Sequence, residues 1–179
     1  FADDSAHAQR IYDYMSNLWF MPSTPVLSNG GTDRGLPISC FLNEATDSLD
    51  GIVNLWNENV WLASLGGGIG SYWGNLRSIG EKVGANGKTS GIIPFIRVMD
   101  SLTLAISQGS LRRGSAAIYI RVDHPEIEEF IELRRPTGGD PNRKALNLHH
   151  GIIIPDEFMR AVENDEEWGL KSPKDQAVI

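Results

Sequence analysis

Two adjacent arginines, Arg112 and Arg113, lie in a segment of glycines and hydroxyl residues at positions 107–117. Glycine permits backbone conformations and close approaches that residues with side chains resist. The planar guanidinium of arginine grips phosphate with two hydrogen bonds and stacks on flat rings. This segment, here called the arginine loop, therefore indicates a site for an anionic, planar ligand such as a nucleotide. The alternative interpretation is a surface turn with two solvated arginines.

Cys40 is the single cysteine of the chain. A thiol can serve as a nucleophile or as a redox group, but a lone cysteine commonly packs as a small buried apolar residue. A cysteine nucleophile would need a histidine, and His149 and His150 lie more than a hundred residues away in a predicted strand. A redox role would need a second cysteine, which this chain lacks.

Asp47 and Arg77 are further candidates for ligand binding. Asp47 suits a helix N-cap, and it equally suits the hydroxyl groups of a ribose. Arg77 is either a phosphate ligand or a solvated surface charge. Residues 66–70 are rich in glycine but do not form a dinucleotide fingerprint, because Ser71 stands where that pattern requires its last glycine. We expect a tight, close-packed turn there.

Composition limits the class of protein. The chain has 179 residues, of which 41% are apolar and 22% charged, as expected for one globular domain. Its net charge of −7 argues against broad binding to nucleic acid, which requires a basic face. No apolar run approaches the ~18 residues of a membrane-spanning helix. The lone cysteine favours a reducing compartment, and the histidines lack zinc-type spacing, so we expect no metal site.

Hydrophobic periodicity and turn residues predict strands that alternate with helices, which is typical of an α/β fold with parallel pairing. Asp4 or Ser5 would cap the first helix, and prolines at 22 and 25 would end it. Helices are predicted at 5–19, from Asp47 onward, and at 94–107, 123–134 and 156–162, and strands at 38–42, 116–122 and 152–154. The arginine loop would then connect a helix to a strand.

Five motifs, in order along the chain, resemble the large, catalytic subunit of class I ribonucleoside-diphosphate reductases. They are residues 23–32 (STPVLSNGGT), 36–42 (LPISCFL), 47–50 (DSLD) followed by 67–70 and 76–80, the arginine loop, and 145–151 (ALNLHHG). The resemblance covers nearly the whole chain. It implies that residues 1–179 are the N-terminal part of the catalytic barrel, roughly the first half of a ten-stranded α/β barrel.

The resemblance also implies a substrate site. Cys40 would be one of two thiols that reduce the 2′ carbon of the ribose and end as a disulfide. The diphosphate and sugar of a ribonucleoside diphosphate would be held by Thr24, Ser39 and the backbone near Gly68. Arg112 or Arg113 would reach the same substrate.

A separate effector site for nucleoside triphosphates is implied as well. Asp47, Ser48 and Leu49 would bind the sugar and base, Arg77 the phosphates, and Gly84 and Ala85 would belong to the first effector loop. The arginine loop would lie between effector and substrate and transmit the choice of substrate. Its other members are Gln108, Gly109, Ser110, Leu111, Gly114 and Ser115.

Partners and cofactors follow from the same resemblance. The effectors would be ATP, dATP, dTTP and dGTP, and this segment would bind no other cofactor directly. A metal-radical cofactor is expected in a small partner subunit, and thioredoxin or glutaredoxin would reduce the disulfide. We expect a homodimer of the large subunit in the cytoplasm that makes deoxyribonucleotides for DNA replication, with no bound nucleic acid and no membrane.

Several groups that the family needs for catalysis belong to a later part of its barrel, namely the second reducing cysteine, the radical cysteine, the catalytic glutamate and the radical-transfer tyrosines. The chain begins at Phe1 rather than Met and stops within an apolar run. We therefore expect a fragment that cannot turn over alone. Two alternatives remain: a non-catalytic nucleotide-binding regulatory module, and a class II, cobalamin-dependent reductase whose barrel shares several motifs.

Overall fold

The computed structural model describes residues 4–85, 87–108 and 112–179. The chain divides into two compact units, Phe1–Ser39 and Cys40–Ile179. The prediction that all 179 residues belong to one part of a barrel stays a prediction.

The first unit contains two helices. α1 (Ser5–Ser16) begins where Asp4 accepts a hydrogen bond from the backbone N–H of His7 at 2.9 Å, so Asp4 is the N-cap. The helix ends three residues earlier than expected, because Leu18 takes a left-handed conformation with φ of 59°. α2 (Thr24–Asn29) has Pro25 in its first turn. The sequence predicted that the prolines end one helix but not that Pro25 begins another, although proline favours that position.

The second unit is built on a four-stranded parallel sheet. Its strands are β1 (Cys40–Glu44), β2 (Gly68–Tyr72), β5 (Ser115–Arg121) and β6 (His149–Ile153), in the order β1-β2-β5-β6. Two short strands, β3 (Ser107–Gln108) and β4 (Arg112–Arg113), form a separate antiparallel pair. Among the described strands, β1 and β6 each have a neighbour on one side only. The predicted parallel α/β class is thereby confirmed.

Helices lie between the strands of this sheet and after the last of them. They are α3 (Leu49–Ser64), α4 (Ile93–Ala105), α5 (Ile127–Ile131) and α6 (Asp156–Glu163), with 3₁₀ turns at Glu132–Arg134 and Pro141–Arg143. The core lies between the sheet and these helices, where Ile118 and Ile120 of β5 join Ile96 of α4 and Phe130 of α5, all fully buried. In the described part of the chain, no helix is both long and apolar enough to cross a membrane.

The glycine-rich segment at 66–70 is only partly the predicted turn. Gly66 has φ of 83° and does turn the chain after α3, but Gly68 already begins β2. A Cβ at Gly67 would lie 2.6 Å from the ring of Phe41 on the neighbouring strand. The absence of a side chain at Gly67 therefore lets the Phe41 ring pack against the chain just before β2 begins.

Ile118 allows a test of this core. We expect Ile118→Val to lower the free energy of unfolding by about 0.5–1.5 kcal/mol, because one buried methyl group is lost at a site with 0% exposure. Ile131→Val, at a half-exposed position of α5, is the matched control and should change it by less than about 0.5 kcal/mol. Urea denaturation measures both, and equal effects would contradict the packing described here.

Candidate functional site

Residues from three neighbouring strands form a row at the N-terminal edge of the sheet. Cys40 on β1 is the register partner of Gly68 on β2, and Gly68 is also the partner of Ser115 on β5. Adjacent strands lie about 4.8 Å apart, so the row spans only about 10 Å. The predicted redox cysteine, the predicted substrate-binding glycine and the end of the arginine loop therefore lie side by side.

The Cys40 thiol is exposed, so the interpretation of Cys40 as a buried apolar residue is wrong. β2 and β5 separate Cys40 from His149, which begins β6. That separation is roughly 14 Å between strand axes, too far for a Cys–His nucleophile pair. The exposed thiol at the edge of the sheet is open to exchange with another sulfur group instead.

The arginine loop contains the β3–β4 ladder, in which Ser107 pairs with Arg113. Gly109, Ser110 and Leu111 lie outside the described residues, and for Gln108 and Arg112 only the backbone is described. The Arg113 side chain is exposed.

Gly114 closes the loop by a close approach of two backbone segments. Its N–H donates to the carbonyl of Ile106 at 3.0 Å. A Cβ at this position would lie 2.5 Å from the carbonyl oxygen of Thr103 and still closer to that of Ile106. The sequence argument that this loop uses glycine for close backbone approach is correct at Gly114.

The other two predicted substrate residues belong to the first unit. Thr24 is the exposed first residue of α2, and Ser39 is the half-buried last residue of that unit. Ser39 directly precedes Cys40 in the chain. The substrate roles of Thr24 and Ser39 stay predictions.

The four residues predicted for the sugar, base and phosphates of an effector line one pocket, here called the α3 pocket. Asp47, Ser48 and Leu49 lie at the start of α3, and Arg77 follows β2. The pocket encloses about 590 Å³, counting its open mouth. Its remaining lining is largely apolar and comes from Ile52, Leu76, Val83, Thr89, Gly91, Ile92 and Phe95.

An ion pair forms the polar side of this pocket. The Arg77 Nε lies 3.0 and 2.9 Å from the two carboxylate oxygens of Asp47, and its Nη2 lies 2.8 Å from Oδ2. The backbone N–H of Arg77 donates to Asp47 Oδ1 at 3.1 Å, and Nη1 donates to the carbonyl of Lys82 at 2.6 Å. Hydrogen bonding to Asp47 raises the pKa of Arg77. Arg77 is thus a fixed cation with some N–H groups left over, and not merely a solvated charge.

The helix N-cap is Ser48 and not Asp47. The Ser48 hydroxyl accepts from the backbone N–H of Gly51 at 3.0 Å, which is the normal N-cap bond. The alternative interpretation of Asp47 as a cap is therefore wrong. Because Ser48 performs that role, the Asp47 carboxylate is available for Arg77.

Gly84 and Ala85 lie just beyond the pocket lining. They form an exposed turn in which the N–H of Val83 donates to the carbonyl of Gly87 at 2.8 Å, and Gly84 has φ of 51°. Val83, not these two residues, lines the pocket. Their predicted contact with an effector stays a prediction.

Comparison with models of known protein families identifies the family to which this chain belongs. The profile described as "Ribonucleotide reductase, barrel domain" matches residues 38–179, and the profile described as "Ribonucleotide reductase, all-alpha domain" matches residues 1–35. The chain belongs to the ribonucleotide reductase large-subunit family. The predicted resemblance and the partial α/β barrel are confirmed by these matches.

Individual relatives from viruses and bacteria support the same family assignment. The ribonucleoside-diphosphate reductase large subunit of Invertebrate iridescent virus 3 is 47% identical over 161 residues, which are 90% of this chain and 24% of the relative. The ribonucleoside-diphosphate reductase subunit alpha of Chlamydia muridarum (strain MoPn / Nigg) is 36% identical over 174 residues, 97% of this chain and 16% of the relative.

A solved structure has the same fold. The Actinobacillus ureae class Id ribonucleotide reductase alpha subunit superimposes with a TM-score of 0.75 at 28% identity, over 91% of this chain and 29% of that chain. The chain thus spans less than a third of the length of the ribonucleotide reductase subunits described here.

One residue that the sequence patterns did not single out contacts the lining of the α3 pocket at Leu76. His124, buried after β5, contacts the carbonyl of Leu76 through Nε2 at 3.1 Å and accepts from the backbone N–H of Glu126 through Nδ1 at 3.1 Å. An acceptor Nδ1 assigns the proton to Nε2, so the ring is neutral. The pair Asp123-His124 before Pro125 suggested only a helix start, and nothing local indicated a partner 48 residues away.

The burial of His124 leads us to predict that the free energy of unfolding depends on pH. Burial lowers its pKa below the usual 6.5, so below about pH 6.5 the unfolded chain binds a proton that the folded chain does not. The stability from His124 is therefore present above pH 6.5 and is lost as the pH falls toward the lowered value. His124→Gln should flatten that loss when urea unfolding is measured between pH 7.5 and 5.5. An unchanged slope would contradict the assignment.

Proposed function

We propose that the chain is a segment of the large subunit of a class I ribonucleoside-diphosphate reductase. In this proposal the α3 pocket binds a nucleoside triphosphate effector, and the edge of the sheet at Cys40 forms one wall of the substrate site. The observation that supports it best is the α3 pocket itself. Four residues assigned to effector binding from sequence, separated by up to 30 positions, line the same cavity.

The chemistry of the substrate edge suits Cys40. Replacing the 2′-hydroxyl of a ribose by hydrogen releases water and requires two electrons and two protons. Two thiols supply both and become a disulfide, which a thioredoxin or glutaredoxin dithiol resets by exchange. This chain has one cysteine, so the second thiol would come from elsewhere in the large subunit, as would the radical that begins the reaction.

The α3 pocket suits a nucleotide in its division of polar and apolar surface. Arg77 presents its remaining N–H groups to phosphate, while Asp47 and Ser48 offer oxygens to the ribose. Ile52, Leu76 and Phe95 give the base an apolar surface to pack on. Both oxygens of Asp47 already accept from Arg77, so a ribose hydroxyl would take over part of an existing pair.

Two helices extend from the pocket toward the substrate edge. α3 begins at the pocket and ends just before Gly66, while α4 begins at the pocket and ends just before the arginine loop. At 1.5 Å per residue the helices are about 24 and 20 Å long. This arrangement supports a role for the arginine loop in transmitting effector identity to the substrate site.

The proposal also includes the class of the reductase, its assembly as a homodimer and its location in the cell. The class Id title of the structural relative and the ribonucleoside-diphosphate reductase names of the sequence relatives favour class I over class II. α3 exposes Leu49, Val53 and Trp61, with 66%, 46% and 65% of their surfaces accessible, which supports a homodimer through this helix. The small radical-generating subunit would bind the completed large subunit in the cytoplasm.

Variants of Arg77 and of Arg113 should have different effects, the first on effector affinity and the second on effector control of substrate choice. In the full-length large subunit, Arg77→Ala should weaken effector affinity by about tenfold or more, because a charged hydrogen-bond donor to phosphate is lost beside a remaining carboxylate. Arg112→Ala and Arg113→Ala should leave that affinity within about threefold but blunt the dependence of substrate choice on the effector. Equilibrium binding of dTTP and reduction of competing diphosphates measure the two effects.

Arg77→Lys is the matched control, since it keeps the charge and loses the bidentate contact to Asp47. Its affinity should lie between the wild type and Arg77→Ala. Equal losses of affinity in the Arg77 and Arg113 variants would refute this division of roles.

Cys40→Ser tests the substrate edge. In the full-length large subunit, with the small subunit and a dithiol supplied, this variant should show no multiple turnover while effector affinity stays unchanged, because Cys40 lies at the opposite edge of the sheet from the α3 pocket. The isolated 179-residue chain should bind effector but give no product under the same conditions. Turnover by the isolated chain would refute the assignment of the second thiol to the rest of the subunit.

A further inference from the structure

Glu126 is a buried carboxylate with no part in the proposed binding or chemistry. It lies between β5 and α5, and its side chain is only 2% exposed. Both of its oxygens face the segment 78–92, here called the pocket loop, which contributes Val83, Thr89, Gly91 and Ile92 to the α3 pocket. A charged side chain is seldom buried unless its hydrogen bonds are satisfied.

The two ends of the pocket loop meet at this carboxylate. Near the first end, the N–H of Ile79 donates to Glu126 Oε2 at 3.2 Å. At the second end, the N–H of Ile92 donates to Oε2 at 3.0 Å and to Oε1 at 3.2 Å. Between these ends, the N–H of Gly80 donates to the carbonyl of Thr89 at 2.9 Å, and Lys82 and Lys88 form an antiparallel bridge. One side chain therefore closes the base of the whole loop.

Gly91 shows how closely the carboxylate and the loop fit. Gly91 has φ of 85°, and a Cβ there would overlap the carboxylate of Glu126, with its Cδ only 2.7 Å away. No other residue type could occupy position 91 without moving either the loop or Glu126. The fit thus depends on a glycine within the pocket lining itself.

Neighbouring groups hold Glu126 in place. The N–H of Glu126 donates to His124 Nδ1, while His124 Nε2 contacts the carbonyl of Leu76, next to Arg77. Arg143 pairs with Glu129, lies 3.9 Å from Glu126 Oε1 and contacts the carbonyl of Ser90 at 3.4 Å. The turn after β5 is therefore joined to this part of the chain at Leu76, just before the pocket loop, and at Ile79 and Ile92 within it.

We propose that Glu126 is a positioning residue of the α3 pocket, whose carboxylate fixes both ends of the pocket loop and so presents Arg77 and Gly91 to the nucleotide before it binds. This inference rests on the proposed nucleotide site. Preorganisation of this kind reduces the ordering cost of binding, so its loss should weaken affinity without removing any direct contact.

Two conservative variants of the full-length large subunit distinguish the effect of the length of the Glu126 side chain from the effect of its charge. Glu126→Asp keeps the charge but is one methylene shorter, so it cannot reach both loop ends. Glu126→Gln keeps the length, and its single oxygen can accept from Ile79 and Ile92 at the position of Oε2. We expect Glu126→Asp to weaken dTTP affinity by about tenfold, and Glu126→Gln to stay within about threefold of the wild type.

The matched controls are Glu128→Asp and Glu128→Gln, because Glu128 is an exposed carboxylate on α5, only two residues from Glu126. Both should bind dTTP like the wild type. The decisive second measurement is hydrogen–deuterium exchange without nucleotide, in which Glu126→Asp should speed exchange across residues 78–92 and leave α3 and β5 unchanged.

Each possible result of these measurements either supports or overturns the positioning role of Glu126. Exchange that rises throughout the unit would indicate general destabilisation and overturn the positioning role. Glu126→Gln weaker than Glu126→Asp would show that charge matters and reach does not, which also overturns it. If the wild type binds no nucleoside triphosphate, the proposed function fails, while the exchange measurement still reports whether Glu126 fixes the loop.

Discussion

The parallel pairing of β1, β2 and β5 is the constraint on which both candidate sites depend. Parallel strands have all their N-termini at one edge of the sheet and all their C-termini at the other. Cys40, Gly68 and Ser115 therefore share one edge. Asp47, Arg77 and Glu126 each follow the C-terminal end of one of these strands, and they meet around a single loop at the other edge. Neither site could form if any one strand ran the other way.

A polar network inside the unit fixes the register that this arrangement needs. The buried Ser71 of β2 donates to Asn43 of β1 at 2.7 Å, and Asn43 donates to Asn59 of α3 at 2.8 Å. Asn59 also contacts Ser71 at 3.3 Å, so the three side chains form a closed set. A shift of β1 by one residue would leave these groups buried without partners, which costs far more than the bonds contribute. The register that places Cys40 opposite Gly68 is thereby selected.

Sequence patterns predicted most of the elements of the second unit, because local rules decide them. The apolar stripe of α4 and the β-branched run of β5 depend on their own residues alone. The N-cap of α3 was assigned wrongly because Asp47 and Ser48 are both good caps, and the choice depends on Arg77, 30 residues away. Glu126 could not be found for the same reason, since its partner Ile92 is 34 residues distant and contributes only a backbone N–H. Almost any residue type can supply a backbone N–H, so a contact of this kind cannot be recognised from the sequence.

The geometry at both ends of α4 explains how one helix can serve two sites. Its first turn is fixed where Glu126 binds the N–H of Ile92, and its last turn is fixed where Gly114 fits against Thr103 and Ile106. Ile96 and Met99 between them are almost completely buried, so the helix is packed along its length and has little freedom to bend. Close backbone contacts therefore hold both ends of α4, one at the α3 pocket and the other at Gly114. Because a Cβ at Gly114 would overlap the carbonyl oxygens of Thr103 and Ile106, the backbone at Gly114 cannot shift independently of the end of α4.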